Sequence, residues 1–115
     1  MILLDTSVLI DAFGSDGPTR NALRAAIDAG HRILLPTLVL YEWWRGPRTS
    51  AVPFGPAEAR VAAGLYGAVA RPRGRELDLA IAACAISWNA ALWSLNRRDF
   101  EDVRGLELWP DEPPT

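Results

Sequence analysis

Four acidic residues stand at the ends of apolar or strand-like segments, where a folded chain normally keeps charge out of its interior. They are Asp5, Glu42, Asp78 and Asp99. Each has an ordinary structural alternative: Asp5 and Asp78 could cap helices, Asp99 could be a turn residue, and Glu42 could pair with Arg45. If the four converge, their charges repel one another unless a divalent cation neutralises them. Together they predict a shared metal site.

The rest of the composition narrows the chemistry to oxygen ligands. The 115-residue chain has 14 Asp and Glu, and all 12 of its basic residues are Arg. The absence of Lys excludes Walker-type phosphate loops and Schiff-base catalysis. A single His31 and a single Cys84 exclude His-rich zinc sites, structural cysteine sites and internal disulfides. Carboxylates favour hard cations such as Mg²⁺ or Mn²⁺ over zinc or copper.

The formal net charge of −2 argues against simple electrostatic binding of nucleic acid but does not exclude it. A bound divalent cation would reverse the local sign at a carboxylate cluster. Two groups of arginines also stand just before candidate acids: Arg71, Arg73 and Arg75, then Arg97 and Arg98. These arginines could contact phosphates, or they could be solvated loop charges.

We expect one domain over residues 1–110, followed by a polar, Pro-rich tail over 111–115. Half of the residues are hydrophobic, which is enough for a core that folds alone. No apolar run approaches the roughly 18–20 residues of a membrane span, and the N-terminus lacks a basic, cleavable leader. We therefore expect a cytoplasmic protein without a membrane segment.

Short strands alternate with helices along the chain. We predict strands over 1–4, 33–35, 91–95 and, at an edge, 106–109. We predict helices over 8–13, 18–30, 36–45, 57–70 and 77–89, a loop over 48–56, and a turn with a short helix over 96–103. This alternation predicts a three-layer α/β/α fold with a mainly parallel sheet of four or five short strands. Ligands in such folds collect beyond the carboxyl ends of the strands, where Asp5 and Asp99 would lie.

The motifs and their order resemble the PIN-domain nucleases, and among them the VapC-type toxins of bacterial toxin–antitoxin pairs. The resemblance rests on ILLDTS at 2–7, the lone Glu42, LDLAIAA at 77–83 and SLNRRDF at 94–100, and it covers essentially the whole chain. The chain is short for the family, and the stretch between Glu42 and Asp78 is compact. Ser94 stands where the family usually has Thr, which keeps the hydroxyl.

The resemblance implies an endoribonuclease that uses Mg²⁺ or Mn²⁺ to hydrolyse RNA phosphodiester bonds. It implies Asp5, Asp78 and Asp99 as the main metal ligands and catalytic acids, and Glu42 as a further ligand or as the group that orients metal-bound water. Polar support would come from three further residues: Thr6, Ser94 and Asn96.

The resemblance also implies partners. Family members typically pair with a small antitoxin whose C-terminal segment fills the crevice, and they often form homodimers. A toxin–antitoxin hetero-oligomer is a further possibility. The five tryptophans are candidates either for the core or for an apolar groove that receives a partner helix.

Two other function classes remain open. The first is a non-catalytic PIN-like module that binds RNA or protein and keeps its acids as structural caps. The second is a metal-dependent phosphohydrolase or DNA nuclease with similar carboxylates. A phosphoaspartate phosphatase is the weaker variant, because Ser7 stands where such an enzyme needs a second Asp, two residues after Asp5.

Overall fold

The computed structural model describes residues 1–14, 17–36 and 49–111. Within these ranges the strands are β1 (Ile2–Leu4), β2 (Ile33–Pro36), β3 (Thr49–Val52) and β4 (Ala91–Trp93). The helices are α1 (Thr6–Gly14), α2 (Pro18–Asp28), α3 (Pro56–Ala68) and α4 (Glu76–Ser87), and a 3-10 turn spans Arg97–Asp99.

The strands form one sheet in the order β3-β2-β1-β4, and every adjacent pair is parallel. The interior strand β1 pairs Leu3 with Leu34 of β2 and Leu4 with Trp93 of β4. All three residues of β1 are buried, as expected for a parallel strand whose two faces are both covered. The predicted α/β fold with a parallel sheet is confirmed.

The two faces of the sheet carry separate hydrophobic clusters, because successive side chains of a strand point in opposite directions. Leu3, Leu34 and Leu92 belong to the cluster that contains the buried residues of α3 and α4. Leu4 and Ile33 belong to the cluster formed with α1 and α2. Helices therefore cover both faces, which gives the three layers that the sequence predicts.

Helix α4 is the most deeply buried helix in the described part of the chain. Its buried residues are Leu79 and the five consecutive residues Ile81–Ala85. The helix is therefore apolar around most of its circumference rather than along one stripe. Leu77 and Trp88, near the two ends of the helix predicted over 77–89, are exposed. No helix of residues 1–14, 17–36 or 49–111 is long and apolar enough to cross a membrane.

Two predicted elements are wrong. The segment predicted as a loop over 48–56 contains β3, whose Thr49 and Val52 are β-branched residues that suit a strand. The predicted strand over 106–109 makes only one isolated bridge, between Leu108 and Leu92. Pro110 has no amide hydrogen to continue the ladder.

The helix predicted over 36–45 falls almost entirely on residues outside the described ranges. Its first residue, Pro36, is instead the last residue of β2. The other helices are confirmed with shifted ends: α1 begins at Thr6 instead of position 8, and α2 ends at Asp28 instead of position 30.

Replacing Leu3 by Ala tests whether β1 is the centre of the core. Leu3 is fully buried between its two neighbouring strands and the α3–α4 layer, so Leu3→Ala should lower the free energy of unfolding by about 2–5 kcal/mol. The matched control is Ile10→Ala, because Ile10 is 69% exposed and its loss should change stability by no more than about 0.5 kcal/mol. Urea denaturation of both variants measures the difference, and equal midpoints would contradict the placement of β1.

Candidate metal centre at the carboxyl edge of the sheet

The parallel pairing of β1 with β4 places Asp5 beside Ser94. Leu4 pairs with Trp93 at the carboxyl ends of the two strands, so the next residue of each chain segment emerges at the same edge. The amide of Asp5 continues the ladder by donating to the carbonyl oxygen of Trp93 at 2.9 Å. Residues 89 positions apart in the sequence thereby come into contact.

The Asp5 side chain is 5% exposed, and three donors bind its carboxylate. The Thr6 amide donates to Oδ1 at 2.8 Å. The hydroxyls of Ser94 and Ser7 donate to Oδ2 at 2.7 Å and 3.1 Å. Because each carboxylate oxygen accepts about two hydrogen bonds, Oδ2 is fully used and Oδ1 keeps one acceptor direction.

The two serine hydroxyls are themselves fixed by backbone amides. The Leu95 amide donates to Ser7 Oγ at 3.1 Å, and the Asn96 amide donates to Ser94 Oγ at 3.0 Å. Each hydroxyl donates to Asp5, since a carboxylate oxygen can only accept. Together Ser7 and Ser94 hold the Asp5 carboxylate in one orientation.

The three residues expected to support the acids contribute differently. Ser94 supports Asp5 through its hydroxyl, whereas Thr6 and Asn96 contribute backbone amides. Ser7 is not among the predicted site residues, and the structure brings it into the site. Its signal in the sequence is its place two residues after Asp5, where a turn into α1 brings the side chain back to the carboxylate.

Asp78 lies in the first turn of α4. This 12-residue helix runs about 18 Å back across the sheet before its chain enters β4, so its first turn lies at the carboxyl edge. The helix begins at Glu76 with Arg75 at the cap position, so the alternative of Asp78 as an N-cap is wrong.

The pKa of Asp78 is influenced by the charges of the other two acids. Burial raises the pKa of the Asp78 carboxyl above its ordinary value, and the negative charges of Asp5 and Asp99 raise it further. The Arg75 guanidinium acts in the opposite direction and lowers it. The three predicted acids of the described chain therefore interact electrostatically.

Asp99 ends the 3-10 turn that follows β4. The neighbouring Phe100 is 1% exposed and belongs to the core cluster under α3 and α4. On the other side, Arg75 donates to the carbonyl oxygen of Asp99 at 2.7 Å and binds both carboxylate oxygens of Asp102 at 2.7 Å and 3.0 Å. The turn that contains Asp99 is therefore held by Phe100 on the core side and by Arg75 on the other side.

The described acids fit a hard divalent cation by chemistry but do not form a complete ligand set. Asp5, Asp78 and Asp99 offer only oxygen donors, which suits Mg²⁺ or Mn²⁺. Among residues 1–14, 17–36 and 49–111, no three side chains of His, Cys, Asp or Glu are close enough together to hold a metal ion. Glu42, the fourth predicted acid, lies outside the described residues, as does its alternative partner Arg45.

The single His and the single Cys take no part in this site. His31 precedes β2 and so lies at the amino edge of the sheet, where its ring makes an edge contact with Trp109. Cys84 is buried in the middle of α4, and its burial raises the pKa of the thiol to about 11. A thiol with that pKa stays protonated near neutral pH and is a poor nucleophile.

A comparison with models of protein families identifies the family of this chain. The model of the PIN domain family matches residues 2–63, more than half of the chain. This chain belongs to the PIN domain family. PIN domains are nucleases, and they generally use divalent metal ions. No curated protein sequence matches the chain.

Solved structures share this PIN fold. The VapBC2 complex of Rickettsia felis, bound to a DNA fragment from its promoter, matches with a TM-score of 0.73 and 21% identity over 94% of this chain and 97% of the other. DNA-bound VapBC from Salmonella typhimurium matches with a TM-score of 0.73 and 19% identity, over 93% of this chain and 95% of the other. A toxin–antitoxin complex from Klebsiella pneumoniae matches with a TM-score of 0.70 and 18% identity, over 92% of this chain and 95% of the other. At these identities the likeness concerns the fold.

Removing the Ser94 hydroxyl tests the support of Asp5. Ser94→Ala deletes the shortest hydrogen bond to the buried carboxylate and leaves the Asn96 amide without its acceptor. We expect it to lower the free energy of unfolding by about 1–3 kcal/mol. Ser87→Ala, at the exposed end of α4, is the control with the same atoms removed. Chemical denaturation that gives equal stabilities for the two variants would refute the role of this hydroxyl.

The raised pKa of Asp78 predicts a pH-dependent gain of stability for Asp78→Asn without metal. The folded-state pKa lies above the ordinary value of 3.8, so the ionised carboxyl opposes folding at neutral pH and ceases to do so as the pH falls through the folded pKa. Asp78→Asn should therefore unfold at a higher temperature than the unsubstituted protein at pH 7 in EDTA.

The gap between the two melting temperatures should close below about pH 3.8, where Asp78 is protonated in both folded and unfolded chains. The control is Asp11→Asn, which removes the charge of an exposed acid on α1. A gap that is absent at pH 7, or that widens in acid, would contradict the raised pKa.

Proposed function

We propose that this PIN domain is a metal-dependent endoribonuclease of the VapC type, the toxin of a toxin–antitoxin pair. The observation that supports the proposal is the location of Asp5, Asp78 and Asp99 at the carboxyl edge of a parallel sheet, where the charges of Asp5 and Asp99 help to raise the pKa of Asp78. Such a cluster has a negative charge that a divalent cation would neutralise.

The metal would be held by Asp5, Asp78 and Asp99, with Glu42 as a further ligand or as the orienter of a bound water. Mg²⁺ or Mn²⁺ at such a site lowers the pKa of bound water and stabilises charge on a phosphodiester. Asp5 would present Oδ1, the oxygen with a remaining acceptor direction. Ser7, Ser94 and the Thr6 amide would keep that oxygen in place while the substrate binds.

Water is the nucleophile that these side chains favour. The Ser7 and Ser94 hydroxyls donate to Asp5 and accept backbone amides, and Ser94 is buried, so both are already used in holding the site. His31 is at the opposite edge of the sheet, and Cys84 is buried. Attack by water on phosphorus with departure of a sugar oxygen is hydrolysis, and it needs neither a histidine nor a thiol.

The partners follow from the same assignment. Structures that share the fold include complexes described as VapBC and as toxin–antitoxin, and we propose that a small antitoxin binds this chain as well. We further propose a homodimer, which could assemble with the antitoxin into a hetero-oligomer. We propose a cytoplasmic location, where an RNA substrate would be available.

The proposal is tested by incubating the purified protein with total bacterial RNA. With Mg²⁺ or Mn²⁺ we expect discrete fragments, and with EDTA none. Asp5→Asn and Asp78→Asn should each slow cleavage about 100-fold or more, because each removes a proposed ligand. Asp11→Asn makes the same chemical change at an exposed acid on α1 and should cleave like the unsubstituted protein.

The same experiment separates the rival functions. Single-stranded DNA of the same sequence and a phosphate monoester are offered in parallel reactions. Faster cleavage of DNA, or release of phosphate from the monoester, would replace the ribonuclease assignment by a DNA nuclease or a phosphohydrolase. If nothing is cleaved and Mn²⁺ does not bind in calorimetry, the chain is a binding module and the metal-site hypothesis is wrong.

A further inference from the structure

We propose that Arg75 is a positioning residue that holds the turn carrying Asp99 against the first turn of α4, which carries Asp78. This inference rests on the proposed function, because it assigns Arg75 a role in assembling the metal site. Arg75 is not one of the acids and contacts neither Asp5 nor a substrate. Its role would be to fix the distance between two ligands that come from different segments of the chain.

The contacts of Arg75 join two elements that are otherwise separate in sequence. Its backbone carbonyl accepts the amide of Leu79 at 2.9 Å, which anchors the residue in the first turn of α4. Its guanidinium reaches 24 residues along the chain to the Asp99 carbonyl oxygen at 2.7 Å and 27 residues to the Asp102 carboxylate. One side chain therefore contacts two points, Asp99 and Asp102, of the segment that follows β4.

The geometry of these contacts requires an arginine. Nη2 donates to both the Asp99 carbonyl and Asp102 Oδ1, while Nη1 donates to Asp102 Oδ2 at 3.0 Å. A planar fork with several fixed N–H directions can serve two acceptors at once, whereas the ammonium of Lys is a single point donor. The Arg75 side chain is 19% exposed, so water competes less with these bonds than at an open surface.

The turn that contains Asp99 is anchored in the core on one side only, so a second contact is needed on the side that faces the acids. Phe100 and Val103 anchor its other side in the core, where they are 1% and 5% exposed. Asp99 itself is exposed, so its own side chain is not anchored in the core. Without Arg75, the core anchor remains but the two acids lose the link that holds them together.

The test is the affinity of the full chain for Mn²⁺, measured by isothermal titration calorimetry without RNA. Arg75→Gln should weaken Mn²⁺ binding by about 10- to 100-fold, the range typical of residues that orient metal ligands. Simple electrostatics predicts the opposite sign, because removal of a positive charge near the site should strengthen binding of a cation. The direction of the change therefore distinguishes positioning from charge.

Two further variants sharpen the test. Arg75→Lys keeps the charge but loses the fork, and it should bind Mn²⁺ nearly as weakly as Arg75→Gln. Arg73→Gln removes the charge of an exposed arginine two residues earlier and should not weaken Mn²⁺ binding. Amide hydrogen exchange should show faster exchange at Asp99 and Phe100 in both Arg75 variants, while the core amides stay protected.

The outcomes separate the two proposals. If the unsubstituted protein binds Mn²⁺ and Arg75→Gln binds it equally well or more tightly, the positioning role is wrong and the proposed function stands. If Arg75→Gln weakens binding but Arg75→Lys keeps full affinity, the requirement for the guanidinium fork is wrong, because an ion pair with Asp102 would then be enough to hold the turn. If the unsubstituted protein neither binds Mn²⁺ nor cleaves RNA, the proposed function fails and the role of Arg75 fails with it.

Discussion

A carboxylate that is 5% exposed must be supplied with hydrogen-bond donors, and the burial of Asp5 imposes this requirement on the fold. The donors cannot come from β1, whose other residues are apolar. They come from the turn into α1, through Thr6 and Ser7, and from the end of β4, through Ser94. The site can form only if β1 and β4 lie side by side, parallel and in the observed register.

That register has consequences beyond Asp5. Parallel strands end at a common edge, and the helix that precedes β4 must return to that edge to begin. The chain therefore delivers Asp78 on the first turn of α4 and Asp99 on the turn after β4 to the place where Asp5 is already held. Three acids from distant segments come to the same edge of the sheet because of the direction of the connections, without any local sequence motif that contains them all.

Local patterns in the sequence predict the parts of the fold that depend on local physics. The apolar run before Asp5 predicts a buried strand, and Pro18 marks the first residue of α2. The sequence also predicts that Asp5 and Asp99 lie at the carboxyl edge of the sheet, because that location depends only on the order of strands and helices. The PIN family assignment rests on the same motifs and is confirmed by the family match.

The missed features depend on pairing between distant segments. Strand β3 has the short sequence TSAV, which becomes a strand through its parallel pairing with β2. The ion pair of Arg75 with Asp102 spans 27 residues, and no periodicity of the sequence connects the two. Asp78 reads as a helix cap from its neighbours, but the helix begins two residues earlier, at Glu76. For β3 and for Arg75, a tertiary contact decides what local propensity leaves open.

The described residues stabilise the acids by two means, and neither removes the negative charge of the edge. Serine hydroxyls and amides satisfy Asp5 as neutral donors, so its full charge remains. Arg75 is a cation, but its guanidinium binds both oxygens of Asp102, so the pair is formally neutral. The charges of Asp5 and Asp99 therefore still raise the pKa of Asp78. Carboxylate oxygens such as these are the ligands that hard divalent cations prefer.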